Sequence, residues 1–247
     1  MLTLLIACLV GFALAQIAAL VTTVYLHRSL SHRALTLAPP LVFLCRVTLW
    51  ILTGMRPRQW VAVHRKHHVF TDVEGDPHSP VMLGWLRVQL GNVGLYRSVA
   101  SDPEQVSRYA RDLPPDDWDR MLFDRWWLGI GIGIGLLCLL LGPGMGLLAA
   151  VLHAVLYLSL SAAVNAVAHT FGKRPYDNSA TNVQWLAWIT FGEGLHNNHH
   201  AIPTSAKLAL HPGETDLAWP VIRILQLMGL ASIRLEDAAP KESAREG

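Results

Sequence analysis

Charged residues are scarce in this sequence and unevenly placed. Asp, Glu, Lys and Arg make up 15% of its 247 residues, against about 25% in a typical soluble domain, and 52% are hydrophobic. No acidic residue precedes Asp72, and neither Lys nor Arg occurs in 1–26 or 126–172. This balance argues against an ordinary soluble domain and favours a membrane protein. A net charge of +2 gives no indication of nucleic-acid binding.

Cysteine is also scarce. Cys8, Cys45 and Cys138 each stand alone in an apolar segment, so no CxxC pair is present. That excludes a cysteine-ligated zinc or iron–sulfur site and a disulfide framework. Internal repeats and low-complexity tracts are absent too. We expect one domain over 1–235 and a polar, disordered tail over 236–247.

Long uncharged runs indicate where the chain crosses the membrane. A crossing needs about 20 apolar residues, which 1–26 supplies once. The segments 128–141 and 147–167 flank "GPG" at 142–144 and predict a transmembrane hairpin. "ALA" at 13–15 resembles a signal-peptide cleavage site, but no basic residue precedes the apolar run. We therefore expect about three crossings.

The segment 34–55 is apolar enough to cross but contains Pro39, Pro40 and a central Arg46. Histidine motifs lie on both sides of it, and a single crossing would separate them. We predict an interfacial or re-entrant helix, with Arg46 turned to protein or water. Three crossings then place every Lys and Arg on one face, as the positive-inside rule requires. The N-terminus is expected outside and the histidines on the cytoplasmic side.

Histidine is what the chain has in abundance, with 12 residues in all. "HRKHH" at 64–68 and "HNNHH" at 196–200 place histidines at i, i+3 and i+4, on one helix face. "HRSLSH" at 27–32 has an offset of five, about 140° on an ideal helix, so its two histidines converge only if the helix ends or bends. The alternative is that they are polar surface residues, which the repeated spacing argues against. We predict one shared metal site formed by His27, His32, His64, His67, His68, His196, His199 and His200.

Eight imidazoles exceed the four ligands of a structural zinc, so the site is expected to hold two metals. Imidazole suits Zn, Cu, Fe and Ni, and ligand type alone does not choose among them. Glu193 and His196 have the Glu-x-x-His spacing of soluble di-iron bundles, but only once in the chain. We expect Glu193 to support a ligand or begin a helix. His78 is predicted to order a loop, His153 to be a hydrogen-bonded core residue and His211 to lie in a turn.

Further stretches of the sequence resemble motifs of one known family. Besides the three histidine motifs, they are "DPHSP" (76–80), "GWL" (84–86), "NAVAHTFGKRPYD" (165–177), "GEGLHNNHH" (192–200), "DLAW" (216–219) and "GLA" (229–231). The chain resembles the membrane fatty acyl desaturases, nearest the stearoyl-CoA type. The resemblance covers roughly residues 20–235 and is most specific over 165–200.

The resemblance implies two Fe ions, O₂ as co-substrate, two external electrons and insertion of a cis double bond into a saturated acyl chain, with Δ9 as the expected position. It adds His169 as a ninth ligand and Asn165 as a contact through water. No catalytic residue beyond the ligands is implied. Iron fits this chemistry because zinc has no redox chemistry. The expected fold is an all-α integral membrane protein capped by a helical cytoplasmic domain that carries the di-iron site.

The sequence departs from the family pattern in two ways, and the second leaves the acyl carrier open. The family plan has four crossings, and the first has no counterpart here. The Arg-Asp pair that contacts CoA in animal enzymes is replaced by Ala62 and Val63. The acyl carrier is therefore CoA, acyl carrier protein or a lipid. Trp60 matches a family tryptophan near the bend of the acyl tunnel, with plain packing as its alternative role.

An alternative within the same scaffold is a hydroxylase, a ketolase or an acetylenase. An alternative from another functional class is a histidine-rich metal transporter. No electron-carrier segment is recognisable, so a separate donor of ferredoxin or cytochrome b5 type is expected. Basic residues such as Arg58, Arg65, Lys66 and Lys173 are candidates to attract it. Membrane lipid is an expected partner and nucleic acid is not. The expected location is a bacterial plasma membrane.

The topology predicts that single cysteines at Thr36 and Arg58 label from the same side of the membrane, because 34–55 does not cross. The measurement is labelling with an impermeant thiol reagent, in a background lacking Cys8, Cys45 and Cys138. Labelling of the two positions from opposite sides would contradict the topology.

Overall fold

The computed structural model describes residues 1–235, so the tail predicted for 236–247 lies outside the described residues. The fold is almost wholly helical. Its elements in chain order are α1 (Leu2–Val21), a π-helix (Thr22–Ser31), β1 (Leu35–Leu37), α2 (Pro39–Thr53), α3 (Pro57–Phe70), α4 (Pro80–Leu83), α5 (Trp85–Ala100), α6 (Pro103–Tyr109), a short π-helix (Asp119–Phe123), α7 (Trp126–Leu141), α8 (Pro143–Ala166), a 3₁₀ turn (Val167–His169), α9 (Gln184–Ile189), α10 (His196–Ala201), α11 (Ala218–Leu227) and β2 (Ala231–Ile233).

Two helical stretches are long and apolar enough to cross a membrane. They are Leu2–Ser31, which joins α1 to the π-helix, and Pro143–His169, which joins α8 to the 3₁₀ turn. The apolar α7 is shorter, with 16 residues. It meets α8 at Gly142, whose φ of +79° is a conformation that glycine adopts without strain. The all-helical fold class is confirmed, and the hairpin of 128–141 and 147–167 is present as α7 and α8.

Glycines let these apolar helices approach closely. A Cβ on Gly11 of α1 would lie 2.8 Å from the backbone oxygen of Ala149 on α8. A Cβ on Gly146 of α8 would lie 2.5 Å from the backbone nitrogen of Cys138 on α7. Small residues at crossing points are how helices pack in lipid, where the solvent supplies no hydrophobic drive. This packing forms the scaffold beneath the histidines.

The α2 and α3 helices together bring the chain back to the first histidine motif. It packs on α7, and the backbone oxygen of Leu52 near its end accepts a hydrogen bond from Nε2 of His153 at 2.7 Å. From there α3 runs back until His64 Nε2 lies 2.7 Å from His32 Nε2. Arg46 donates to both carboxylate oxygens of Asp116 at 2.6 and 2.9 Å, so it is turned to protein.

A small antiparallel pair of strands joins the segment after the π-helix to the segment after α11. These strands were not predicted from the sequence. Leu35 of β1 faces Ile233 of β2, and Leu37 faces Ala231. Strands of three residues are too short for an alternating pattern to be recognisable. Leu35 and Leu37 are buried while Thr36 is exposed, so the pair closes the core over the end of the π-helix.

Helix packing generates a stability prediction. Gly129→Ala should destabilise the protein by about 1–3 kcal/mol because the added methyl collides with the backbone oxygen and indole ring of Trp50. Gly131→Ala on the same helix is the matched control, since its Cβ meets nothing within 4 Å. The control should be neutral or slightly stabilising, because alanine favours helix more than glycine does. Thermal unfolding in detergent measures both, and equal midpoints for the two variants would contradict the prediction.

Candidate metal centre

The first histidine pair converges through a π-helix. Residues 22–31 are wound so that backbone bonds close over five residues, and the N–H of His32 donates to the oxygen of His27 at 3.2 Å. This winding brings residues five apart onto one face. The convergence of His27 and His32 therefore comes from a wider helix that ends at Ser31, with His32 as its C-terminal cap. The helix ends between the two histidines, as predicted, and the wider winding was not predicted.

The nine predicted histidines lie in two adjacent groups. Within each group, one ring nitrogen from every member lies within 4.8 Å of the others. We call them the five-histidine group and the four-histidine group. The first contains His27, His32, His64, His68 and His199, and the second contains His67, His169, His196 and His200.

The nitrogens that meet are the Nε2 atoms. Nε2 of His27 lies 3.0 Å from Nε2 of His199, and the corresponding atoms of His67 and His200 are 3.3 Å apart. Nε2 of His169 is buried and has no hydrogen-bond partner within residues 1–235. Ring nitrogens whose lone pairs converge in this way fit a bound cation, because a cation would give those lone pairs a partner.

Burial keeps the rings neutral. It is the largest cause that lowers the pKa of seven histidines below the usual value, and neighbouring imidazoles lower it further. The pKa of His68 falls to about 3. A metal binds the neutral form, so no proton needs to leave these rings near neutral pH. The seven are His32, His64, His67, His68, His196, His199 and His200.

Three carboxylates fix the orientation of three imidazole rings by accepting hydrogen bonds from their Nδ1 atoms. Nδ1 of His27 donates to Glu193 at 2.7 Å, Nδ1 of His169 donates to Asp72 at 2.7 Å, and Nδ1 of His67 donates to Asp76 at 3.0 Å. A proton held on Nδ1 leaves the lone pair on Nε2, which is the atom that faces each group. Glu193 thus orients His27, one of the candidate ligands.

The charged form of Asp72 and Glu193 is favoured despite burial. Burial raises the pKa of each carboxyl, but contacts with His169 and His27 outweigh it and the net pKa is lowered. Burial dominates at Asp76 and raises its pKa to about 6. Asp72 and Asp76 are ring partners that the sequence analysis missed. The one available signal is that Asp72 is the first acidic residue of the chain and follows the second histidine motif closely.

The asparagines of "HNNHH" anchor the third motif, a role that spacing alone did not show. Asn197 Nδ2 donates to the backbone oxygen of Ala180 at 2.9 Å. Asn198 Nδ2 donates to Glu214 at 2.6 Å and to the backbone oxygen of Leu208 at 2.9 Å. Both asparagines are buried. They fix the short α10 from the side opposite its histidines.

The other predicted polar residues lie around the two groups. Asn165 donates to Asn92 at 3.1 Å and belongs to neither group, but it lines the cavity described next. His78 is buried against His67 with ring centroids 4.7 Å apart, closer to the metal pocket than its predicted loop role implied. His153 is a hydrogen-bonded core residue, as predicted. His211 is exposed in a loop beside Tyr176.

An apolar cavity of about 740 Å³ reaches the histidines. Trp60 lies in its wall and stacks on His64 with ring centroids 4.9 Å apart. The lining continues to Leu14, Leu136 and Leu140 on the membrane helices. Trp60 therefore lies between the cavity and a candidate ligand, and it also packs against the buried core.

A second cleft of about 780 Å³ is lined by His32, His68 and His200, together with Arg65. Ligand candidates from both groups thus reach the same cleft. Arg65 is already paired with Asp112, and Lys66 donates to Gln105 at 2.7 Å. Arg65 is therefore partly neutralised by Asp112, and Lys66 is engaged in a hydrogen bond within the protein.

Comparison with known proteins agrees with the geometry. The family described as Fatty acid desaturase matches residues 2–223. The sn-1 stearoyl-lipid 9-desaturase of Anabaena variabilis is 32% identical, covering 87% of this chain and 79% of that protein. The Delta-9 acyl-lipid desaturase 2 of Arabidopsis thaliana is 33% identical over 96% of this chain and 76% of its own length. The Acyl-CoA C20 Delta5-desaturase of Anemone leveillei is 34% identical over 85% and 68%.

The resemblance seen in the motifs is confirmed by these matches, which cover nearly the whole chain. Named relatives act on acyl-lipid or acyl-CoA substrates, and desaturation is an oxidation. The chain therefore belongs to the fatty acid desaturase family and is an oxidoreductase.

Proposed function

We propose that the protein inserts a cis double bond at position 9 of a saturated, lipid-bound acyl chain, using two Fe ions, O₂ and electrons from a separate protein. The observation that carries the proposal is the meeting of two groups of buried Nε2 atoms with an apolar cavity. Position and carrier follow the two relatives named as stearoyl-lipid and acyl-lipid desaturases. The absence of a charged pair at Ala62 and Val63 supports a carrier other than CoA.

The residues present fit an iron pair. Nine imidazoles converge, three of them oriented by carboxylates, and Nε2 of His169 lacks any other partner within residues 1–235. When bound, the iron pair supplies the redox chemistry needed to break an unactivated C–H bond, which zinc would not supply. The ligands in this proposal are His27, His32, His64, His67, His68, His169, His196, His199 and His200, with Asn165 acting through water.

The protein itself positions the chain and excludes water. The cavity wall is mainly apolar and favours a hydrocarbon, while Trp60 on His64 holds the chain beside the five-histidine group. Glu193, Asp72 and Asp76 accept hydrogen bonds from Nδ1 of three imidazoles, so that these rings do not turn away from the pocket. The substrate is thus placed before any reaction begins.

The membrane arrangement is part of the proposal. Three helices, α1, α7 and α8, cross a bacterial plasma membrane, α2 stays in the interface, and a helical cap holds the histidines on the cytoplasmic side. The absence of Lys and Arg from 1–26 and 126–172 supports this placement. The cleft lined by His32, His68 and His200 would then face a ferredoxin or cytochrome b5 type of donor.

Expression in a desaturase-deficient host tests the reaction. We expect new cis-9 monounsaturated chains in membrane lipids, located by mass spectrometry, because the acyl chain enters from the bilayer. A hydroxyl, keto or acetylenic product would contradict desaturation. A double bond at another position would contradict the Δ9 assignment alone.

Two histidines of the same helical stretch provide a matched test of the ligand set. His169→Ala should lower bound iron and abolish desaturation, because its unpartnered Nε2 belongs to the four-histidine group. His153→Ala should keep iron near normal at a packing cost of up to a few kcal/mol, since its Nε2 donates to Leu52. Elemental analysis of purified, folded protein measures both. Full iron occupancy in the His169 variant would refute its place in the ligand set.

A further inference from the structure

Arg28 is a fully buried cation directly after the first histidine, with 1% of its surface exposed. Every donor of its guanidinium is used. Nε donates to Thr23 Oγ1 at 3.2 Å, and Nη1 donates to the oxygen of Ala206 and to Asp216 Oδ2, both at 2.8 Å. Nη2 donates to the oxygen of Phe191 at 2.9 Å and to Asp216 Oδ1 at 3.0 Å. Arginine has five N–H donors, so the side chain is saturated.

Two of these bonds lead to Glu193. The Thr23 hydroxyl that accepts from Arg28 itself donates to Glu193 Oε1. The Phe191 carbonyl that accepts from Arg28 lies two residues before Glu193. Glu193 Oε1 in turn accepts from Nδ1 of His27. Arg28 therefore holds this carboxylate from both sides, through a side chain and through the backbone.

The backbone at this point needs such support. Phe191 has a φ of +53°, a conformation that residues other than glycine rarely adopt. Gly192 follows with a φ of +98°, and a Cβ there would collide with the Asp216 carboxylate. A strained turn persists only where its surroundings determine it. Here the surroundings are Arg28 and Asp216.

Stability alone is a poor reason for this ion pair. Burying two charges carries a desolvation penalty, and apolar residues of similar size often serve the fold as well or better. Removing only one partner is destabilising because it leaves an unpaired buried charge. The two roles can therefore be separated by replacing both partners together.

We propose that Arg28 and Asp216 are positioning residues for the five-histidine group, which hold Glu193 against His27 so that Nε2 of His27 stays directed at the metal pocket. The inference rests on the proposed function, in that the pocket holds two metal ions. It predicts a selective effect, because Asp72 and Asp76 orient members of the four-histidine group. Arg28 should thus govern one ion and not the other.

The test compares two double variants in the purified full-length protein. Arg28→Met with Asp216→Leu removes the buried pair. Arg46→Met with Asp116→Leu is the matched control, since it removes another two-pronged Arg–Asp pair that lies outside both histidine groups. The measurements are Fe(II) ions bound per chain under anaerobic conditions, the dissociation constant of each ion, and the thermal midpoint.

We expect wild type and the Arg46 control to bind two ions. The Arg28 double variant should remain folded at the assay temperature and bind one ion about 10- to 100-fold more weakly, the range seen when a ligand loses its supporting partner. A folded Arg28 variant with two ions at wild-type affinity would overturn the inference. Equal weakening of both ions would also overturn it, because the effect would then be general.

Thr23→Val gives a second, milder test should the double variant fail to fold. It preserves side-chain shape and removes only the hydroxyl between Arg28 and Glu193. We expect weaker binding of the same single ion, and the loss in the Thr23→Val, Glu193→Gln double variant should be smaller than the sum of the two single losses, since both changes act on one connection. Additive losses would overturn the connection. Wild-type protein that binds no Fe(II) would overturn the proposed function and this inference with it.

Discussion

The burial of many imidazoles in one pocket is the constraint on which the rest of this structure depends. Rings with centroids as close as 4.2 Å can share a dry pocket only while they are neutral, because several imidazolium ions would repel one another strongly at low dielectric. Desolvation favours that neutrality by lowering the pKa values of seven of the rings. Three carboxylates then decide which nitrogen of their partner rings carries the proton. Without both conditions the lone pairs would not converge.

Helix geometry is arranged to meet this constraint. The π-helix at Thr22–Ser31 aligns His27 with His32, whereas α-helical winding suffices for the offsets of three and four at His64, His67 and His68. The α2 and α3 helices together bring the second motif back to the first. Glycine-mediated contacts among the apolar helices α1, α7 and α8 hold the scaffold below. Each local irregularity thus has a consequence at the metal pocket.

The cavity joins the histidine groups to the apolar helices. It extends from histidines of both groups to leucines on α1 and α7, and its wall is mainly apolar. Trp60 belongs to both the cavity and the metal pocket through its stacking on His64. Family membership agrees with this joint arrangement, since the matched relatives act on acyl chains. The same wall residues would determine which methylene approaches the metals.

Much of the function was predictable from residue order, because histidine spacing and hydropathy are local properties of a helix. The three motifs, the expectation of two metals, the all-helical fold and the return of the chain after 34–55 follow from periodicity and charge placement. His169 and Asn165 required the family resemblance, since neither belongs to a spaced histidine motif. His153 could be assigned to the core from its distance along the helix alone.

Other features were decided only by the tertiary structure, because they join residues far apart in the chain. The position of Asp72 does not predict its hydrogen bond with His169, which is 97 positions away. The position of Arg28 likewise does not predict its ion pair with Asp216, at a separation of 188. The division of nine histidines into groups of five and four is of the same kind, since neighbours such as His67 and His68 fall in different groups. Sequence determines which rings share a helix face, through the period of the helix. Which rings share a metal depends on how separate helices pack, and that is settled by burial and by the carboxylates behind the rings.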